Sequence, residues 1–145
     1  GQIQYRKDRA DTLMALKRYA EAVTDLNSAL EHDPDDVGAR VTRSLALARQ
    51  GERQSASADA NRAVSWLRTH AVRNEEEWYG LACTYALLGA EVLAIDALKQ
   101  AITRGFDDLR AIETDEDLNN IRHNREFRSL LKKARQGTRS GPTQA

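Results

Sequence analysis

The sequence contains little cysteine, proline or aromatic residue, and it has no long apolar stretch. Cys83 is the only cysteine among 145 residues, which excludes an internal disulfide and a zinc site built from cysteines. No window approaches the roughly 18 consecutive apolar residues that a membrane-spanning helix needs. The first residues also lack the basic and apolar segments of a signal peptide. We therefore expect a soluble, cytoplasmic chain without a membrane span.

Net charge is absent as well, because 22 Lys and Arg balance 22 Asp and Glu. A neutral chain has no overall field that would attract nucleic acid or an anionic membrane. What the composition does contain is alanine, leucine and arginine in large numbers, and all three favour helices. Since only Pro34 and Pro142 are present to interrupt helices, the sequence predicts an all-α protein.

A repeated pattern covers most of the chain. The segment 9–34 aligns with a second copy 34 residues later and with a third copy 38 residues after that. Within each copy, spacings of three and four place small and apolar residues on one helix face, and a turn residue divides the copy in two. Small residues let two antiparallel helices cross closely, so each copy predicts a helix hairpin. The matching small residues are Ala10, Ala22 and Ala29, then Ser44, Ala56 and Ala63, then Ala82, Ala94 and Ala101, and the turn residues are Lys17, Gly51 and Gly89.

The pattern resembles the tetratricopeptide repeat family over about residues 3–106. Its first-helix signature is matched by Trp78, Leu81, Ala82, Tyr85 and Gly89, and its ending by Ala29 and Pro34. The resemblance implies a right-handed superhelical stack of antiparallel helix pairs, an α-solenoid with C-terminal capping helices. The sequence departs from the family at Lys17, where a turn glycine is usual, and at Arg68, where a proline is usual.

The periodicity and the turn signals predict six helices, at 3–17, 19–32, 36–50, 53–71, 75–88 and 91–104. They belong to a first repeat (1–34), an extended second repeat (35–72) and a third repeat (73–106). We interpret the four extra residues of the second repeat, around 69–74, as one more helical turn. A helical cap (107–134) and a disordered tail (135–145) complete the predicted organisation.

The pattern changes after Gly105. Five apolar residues can cover the open end of the last hairpin, and a repeat stack needs such a terminal cap. They are Leu118, Ile121, Phe127, Leu130 and Leu131. The segment resembles the ending of some bacterial tetratricopeptide arrays, which occur behind protein kinase domains and in other signalling chains. This resemblance and the missing initiator methionine support an alternative, in which the chain is a regulatory or sensor domain of a larger signalling enzyme such as a protein kinase.

The sequence contains no phosphate loop, nucleophile elbow or dinucleotide fingerprint. Its three histidines lack the pairing of a metal site, and the acidic runs 75–77 and 115–117 begin predicted helices, where negative charge complements the helix dipole. A calcium loop beginning at Asp33 fails because Ser44 occupies the twelfth place, where a carboxylate is needed. The sequence therefore predicts a protein that is not an enzyme and has no metal and no cofactor.

Charge is unevenly placed near the C-terminus. Residues 107–117 contain six acids, and seven Lys and Arg follow between positions 122 and 139. A nucleic-acid site would need interleaved aromatic residues, and Phe127 is the only one in the basic block. We interpret the block as a solvated face of the cap and expect no nucleic-acid partner.

The resemblance also implies a binding surface, because in the family the first helix of each pair lines a concave groove that holds a peptide or helix of a partner. The groove positions correspond to Lys7, Asp11 and Met14, then Val41, Thr42, Leu45 and Arg49, then Glu76, Tyr79 and Cys83. We expect Leu45, Tyr79 and Cys83 to form its apolar floor. Packing between repeats is the alternative for some of these positions, such as Val41, Leu45 and Ala48. Of the positions that clamp a terminal carboxylate in chaperone-binding members, only Lys7 has a suitable residue, while Asp11 and Glu76 would repel the anion. An apolar or a basic and apolar segment is therefore expected, and not an acidic chaperone tail.

Together these features predict a non-catalytic scaffold or adaptor that binds a protein or peptide partner, as a monomer or a weak homo-oligomer. A second alternative is a structural homo-oligomer. Three repeats are near the minimum for a stable stack, and they leave the outer face of the first helix open for another copy.

Overall fold

The structure is a computed structural model that describes residues 1–70 and 72–139. These residues form eight α-helices and one 3₁₀ helix and contain no strand, which confirms the all-α prediction. The α-helices are α1 Gln2–Ala15, α2 Tyr19–His32, α3 Val37–Gln50, α4 Arg53–Thr69, α5 Glu75–Leu87, α6 Glu91–Thr103, α7 Leu109–Thr114 and α8 Arg125–Arg139. The 3₁₀ helix Glu116–Ile121 precedes α8.

The chain divides into two compact units, Gly1–Val72 and the part from Arg73 onward. In the first unit α1 packs against α2, α2 against α3 and α3 against α4, so two helix hairpins lie side by side. In the second unit α5 packs against α6, the 3₁₀ helix packs against α5, and α8 contacts both α6 and α7. The helix pair is thus the common element of both units, and the second unit adds a C-terminal cap.

Small side chains mark the places where paired helices cross. All nine small residues of the repeated pattern, from Ala10 to Ala101, are 0% exposed. Helices approach closely only where side chains are this small, and larger apolar residues such as Leu26 and Leu98 fill the flanking positions. Leu47, three residues after Ser44 on the same helix face, is only partly buried.

The first helix of each pair ends in left-handed backbone. Gly51 has a φ of 83° and Gly89 a φ of 73°. At the matching place in the first hairpin Lys17 adopts a φ of 61°, and the next N–H, from Arg18, donates to the Leu13 carbonyl at 2.8 Å. The first hairpin therefore makes the same turn without a glycine, and α1 ends at Ala15, two residues earlier than predicted.

Gly105 also has left-handed backbone, with a φ of 108°. The guanidinium of Arg73 lies over it and donates from Nε to the Arg104 carbonyl at 3.1 Å. A Cβ at position 105 would collide with Nη2 of Arg73. The left-handed backbone favours glycine here, and a larger residue would also require the arginine side chain to move.

The observed helix bounds lie within two residues of the predicted ones, and those of α2 agree with them. Asp36, predicted as the first residue of α3, is instead its N-cap and accepts a hydrogen bond from the Ala39 N–H at 3.0 Å. The helix α4 has 17 residues against 14 in α2, so three of the four extra residues of the second repeat lengthen the helix. Position 71, predicted as the last residue of this helix, lies outside the described residues.

The apolar residues of the cap are buried to different degrees. Leu118, Ile121 and Phe127 are at most 1% exposed, and Leu130 and Leu131 are partly buried. The helix α8 continues to Arg139, so positions 135–139 are helical where the sequence predicted disorder. The reason is that no proline interrupts the helix before position 142. The rest of the predicted tail, 140–145, lies outside the described residues.

A bidentate arginine–aspartate pair joins the two helices of each hairpin in the first unit. Arg9 donates to Asp25 at 2.7 and 2.6 Å, and Arg43 donates to Asp59 at 2.6 and 2.7 Å. Both aspartates are buried, whereas both arginines are partly open to solvent. The third repeat has Leu81 and Ala97 at the matching positions, and both are buried. The second unit therefore has an apolar pair of residues where the first unit has ion pairs.

We expect Lys17→Gly to raise the free energy of unfolding by about 1 kcal/mol, because glycine adopts left-handed backbone without the steric cost of a Cβ. The measurement is urea unfolding followed by circular dichroism, with the dependence on urea unchanged. Lys17→Ala is the matched control, since it removes the charge and keeps the Cβ. An equal gain in the alanine variant would show that backbone strain is not the cause.

The Arg9–Asp25 pair should make the first unit sensitive to acid. Hydrogen bonds from Arg9 hold the pKa of Asp25 below its ordinary value of 3.8, although burial opposes this shift. A carboxylate with a lowered pKa in the folded state stabilises the fold above the ordinary pKa, and this contribution is lost as the pH falls towards the lowered value.

We therefore expect Asp25→Asn to cost about 1 kcal/mol at pH 7, a figure reduced for the partly exposed Arg9. The difference from the wild type should shrink as the pH falls below 3.8. Urea unfolding at a series of pH values measures both quantities. The control is Glu31→Gln, which removes an exposed carboxylate from the same helix. A gap that stays constant with pH would contradict the lowered pKa.

Candidate functional site

The groove positions predicted in the first unit divide into buried and accessible residues. Met14 and Val41 are interior residues, at 9% and 5% exposure. Leu45 packs against a hydrophobic core cluster built from α1, α2 and α3 but keeps part of its surface open. Asp11 is exposed. The accessible part of this surface therefore combines one leucine with a carboxylate.

The polar groove residues of the first unit are engaged within their own chain. Lys7 Nζ lies 2.8 Å from a carboxylate oxygen of Asp36, the residue that caps α3. Thr42 donates its hydroxyl to the Gly38 carbonyl at 3.0 Å. The Arg49 guanidinium lies over the Tyr19 ring, 5.4 Å from its centre. Lys7 is therefore neutralised locally and does not present an unpaired positive charge.

Two aspartates form an acidic edge on α1. Asp8 and Asp11 are both exposed and lie about one turn apart. Partial desolvation raises the pKa of Asp11 above 3.8, the negative charge of Asp8 adds to the shift, and Lys7 offsets it only in part. A cation placed beside these carboxylates would therefore be stabilised.

In the second unit the cap covers two of the predicted groove residues. The rings of Tyr79 and Phe106 are stacked, with their centres 4.2 Å apart. The Tyr79 hydroxyl donates to Asp115 Oδ2 at 2.9 Å, and the Cys83 thiol donates to the same oxygen at 3.7 Å. Cys83 is only 2% exposed. The structure thus brings Tyr79 and Cys83 together, but their contacts are with the chain's own C-terminal segment.

Asp115 is the centre of this contact. Its other oxygen, Oδ1, accepts the Asp117 N–H at 3.0 Å and so caps the 3₁₀ helix. Arg122 donates to the backbone carbonyl of Asp115 at 2.6 Å. Burial, and then the neighbouring Cys83 and Asp115, raise the pKa of Tyr79 well above its ordinary value of 10.0. The phenol therefore stays protonated and remains a hydrogen-bond donor to the carboxylate.

The 3₁₀ helix makes two further contacts with α5. Asn120 donates its side-chain amide to the Ala86 carbonyl at 3.1 Å. Leu118, at 0% exposure, and Ile121, at 1%, are buried where the 3₁₀ helix packs on α5. The sequence did not indicate that the cap lies on this side of α5. The acidic run 115–117 was correctly expected to begin a helix, and this was the sequence signal that pointed to Asp115.

The thiol of Cys83 and the carboxylates of Asp115 and Asp117 lie within 4.8 Å of one another. A thiolate and two carboxylates are chemically able to bind a metal. Both carboxylate oxygens of Asp115, however, already accept hydrogen bonds from donors of the chain. The cluster therefore caps the 3₁₀ helix and anchors it to α5.

Glu76, the remaining groove position, is exposed in the first turn of α5. Partial burial and then the adjacent Glu75 and Glu77 raise the pKa of its carboxyl above 4.5. Glu76 is therefore open to solvent in a region of concentrated negative charge, whereas Tyr79 and Cys83 on the same helix are covered.

Comparisons with known proteins agree with this architecture. A tetratricopeptide repeat model matches residues 8–36. The fold is similar to the crystal structure of MamA, a tetratricopeptide-containing protein, with a TM-score of 0.67, 18% identity, and coverage of 95% of this chain and 79% of that chain. A chloroplastic protein of Arabidopsis thaliana is 35% identical over 54 residues, which are 37% of this chain and 16% of that protein.

The helix pairs and their crossings define an all-α repeat fold, and the matched repeat supports a protein-interaction scaffold in general terms. Over residues 8–36 the chain is similar to the tetratricopeptide repeat family, and its fold is of the same kind. Among the residues that the structure describes, no helix combines the length and the apolar character that crossing a membrane requires.

Proposed function

We propose that the chain is a non-catalytic interaction module that binds a peptide or a short helix of a partner on the α1 and α3 face of its first unit. The observation that carries the proposal is the accessible combination of Leu45 with Asp8 and Asp11. These residues lie on the first helices of their hairpins, where the family binds its partners.

The chemistry of this face favours a basic and apolar segment. The partly open Leu45 offers an apolar contact, and neighbouring buried residues such as Val41 hold it in place. The two aspartates offer negative charge that Lys7 offsets only in part, because Lys7 is paired with Asp36. A lysine or arginine beside an apolar side chain meets both features, whereas an acidic tail would be repelled.

The two other functions expected from the sequence stay predictions. These are a regulatory domain of a larger signalling enzyme and a structural homo-oligomer. The chain covers 16% of its chloroplastic relative, so the activity of a longer protein does not transfer to it. The cytoplasmic location likewise stays a prediction.

The test is selection of peptides from a random phage-displayed library on the immobilised full chain, followed by fluorescence anisotropy with the selected peptides. We expect basic and apolar peptides whose affinity falls at least about tenfold in Leu45→Glu, because an apolar contact is lost and a charge is placed beside it. Asp11→Lys, which changes an exposed residue, should weaken binding by a few-fold, and more strongly at low salt.

Glu31→Lys is the matched control for Asp11→Lys, because it makes the same charge change at an exposed position on a second helix. Circular dichroism and urea unfolding establish that each variant is folded. Selected peptides that bind both groove variants and the wild type equally well would show that the α1 and α3 face is not the binding site. A selection that returns no peptide would also contradict the proposal.

A further inference from the structure

We propose that the segment 106–121 is a built-in occupant of the α5 face, and that it yields to a partner segment with an aromatic ring and a carboxylate in place of Phe106 and Asp115. The inference rests on the proposed function in one respect only: it assumes that the first helix of a hairpin is the binding helix. It concerns the second unit alone.

The first argument is the position of the contact. Tyr79 and Cys83 occupy the same places in the third repeat as Lys7 and Asp11, and as Val41 and Leu45, in the first two. In the first unit Asp11 and part of Leu45 are open to solvent. In the second unit the matching positions contact Phe106 and Asp115 instead. The segment therefore lies where a partner peptide would lie.

The second argument is the way in which the segment is held. The helix α7 and the 3₁₀ helix have six residues each, which is too short for either to be stable by itself. On α5 they are held by one ring stack, the two hydrogen bonds to Asp115 Oδ2, the Asn120 bond and the burial of Leu118 and Ile121. Further contacts come from α6 and α8, and Arg122 donates to the carbonyls of Ile112 and Asp115. The helix α8 contacts α6 as well as α7, and Phe127 is 1% exposed, so α8 also has an attachment outside the segment. Loss of the α5 contacts would therefore leave α8 as a tether.

The third argument identifies the partner's chemistry. Tyr79 and Cys83 both direct donors at a single carboxylate oxygen, and the Tyr79 ring provides a flat surface for a second aromatic ring. A replacing segment must supply an acceptor with a negative charge and an aromatic side chain to recover these contacts. A peptide with an aromatic residue followed by a carboxylate meets this requirement.

Opening of the segment can be measured without a partner, because Cys83 is the only cysteine and is covered by the segment. The full chain is mixed with a thiol reagent, and the rate of Cys83 modification is followed at increasing urea below the unfolding transition. We expect modification through a local opening, with a much weaker dependence on urea than global unfolding has. Tyr79→Phe keeps the ring and removes one hydrogen bond to a charged group, so it should raise the rate about tenfold. Tyr5→Phe, at an exposed tyrosine of the first unit, should leave it unchanged.

A labelled synthetic peptide with the sequence of residues 106–121 tests whether a separate chain can compete with the built-in segment for the α5 face. The built-in segment has an effective concentration on the order of millimolar, so the wild-type chain should bind the peptide weakly. Asp115→Ala weakens the built-in segment and leaves Tyr79 and Cys83 in place, so the peptide should bind this variant at least about tenfold more tightly. The gain should disappear when Tyr79→Phe is added, or when alanine replaces the matching aspartate in the peptide.

Two results would overturn the inference. One is modification of Cys83 with the full urea dependence of global unfolding, which would make the segment an inseparable part of the core. The other is equal binding of the peptide to the wild type and to Asp115→Ala, or binding to neither. Neither experiment involves Leu45 or Asp11, so their failure would leave the proposed function of the first unit standing.

Discussion

The close crossing of paired helices is the constraint on which the rest of the structure depends. At nine positions, from Ala10 to Ala101, a small residue is completely buried, and nothing larger would let the helices approach as they do. Because of this packing, one side of each first helix lies against the second helix of its own hairpin. The opposite side of α1, α3 and α5 is then available for other contacts, and it is there that the two units differ.

That difference is chemical as well as structural. The α1 and α3 face of the first unit presents Leu45 and two exposed carboxylates, whereas the α5 face presents hydrogen-bond donors and an aromatic ring to its own cap. A single repeat pattern thus carries exposed negative charge on one face and hydrogen-bond donors to a carboxylate on the other. The small crossing residues preserve the helix pair, so the residues on the outer face are free to vary.

The sequence predicted the features that depend on local spacing. Helix periodicity and turn glycines located the six repeat helices, and the matching of Lys17 with Gly51 identified the turn, whose backbone is left-handed in the structure. The Arg9–Asp25 and Arg43–Asp59 pairs went unrecognised, although the 34-residue offset aligns them. The side on which the cap packs could not be predicted, since α5 is apolar around most of its circumference, and Trp78 and all residues from 81 to 86 are buried.

The exchange of ion pairs for Leu81 and Ala97 in the third repeat gives the two units different responses to dissolved salts. Arg9 is 46% exposed in its pair with Asp25, so mobile ions reach the pair and screen its attraction. Leu81 and Ala97 have no charge to screen, and strongly hydrated salts such as sulfate favour burial of apolar surface. Added salt therefore weakens the ion pairs between the helices of the first unit and strengthens the apolar contact between those of the third repeat. The chain combines a salt-sensitive and a salt-tolerant version of the same repeat.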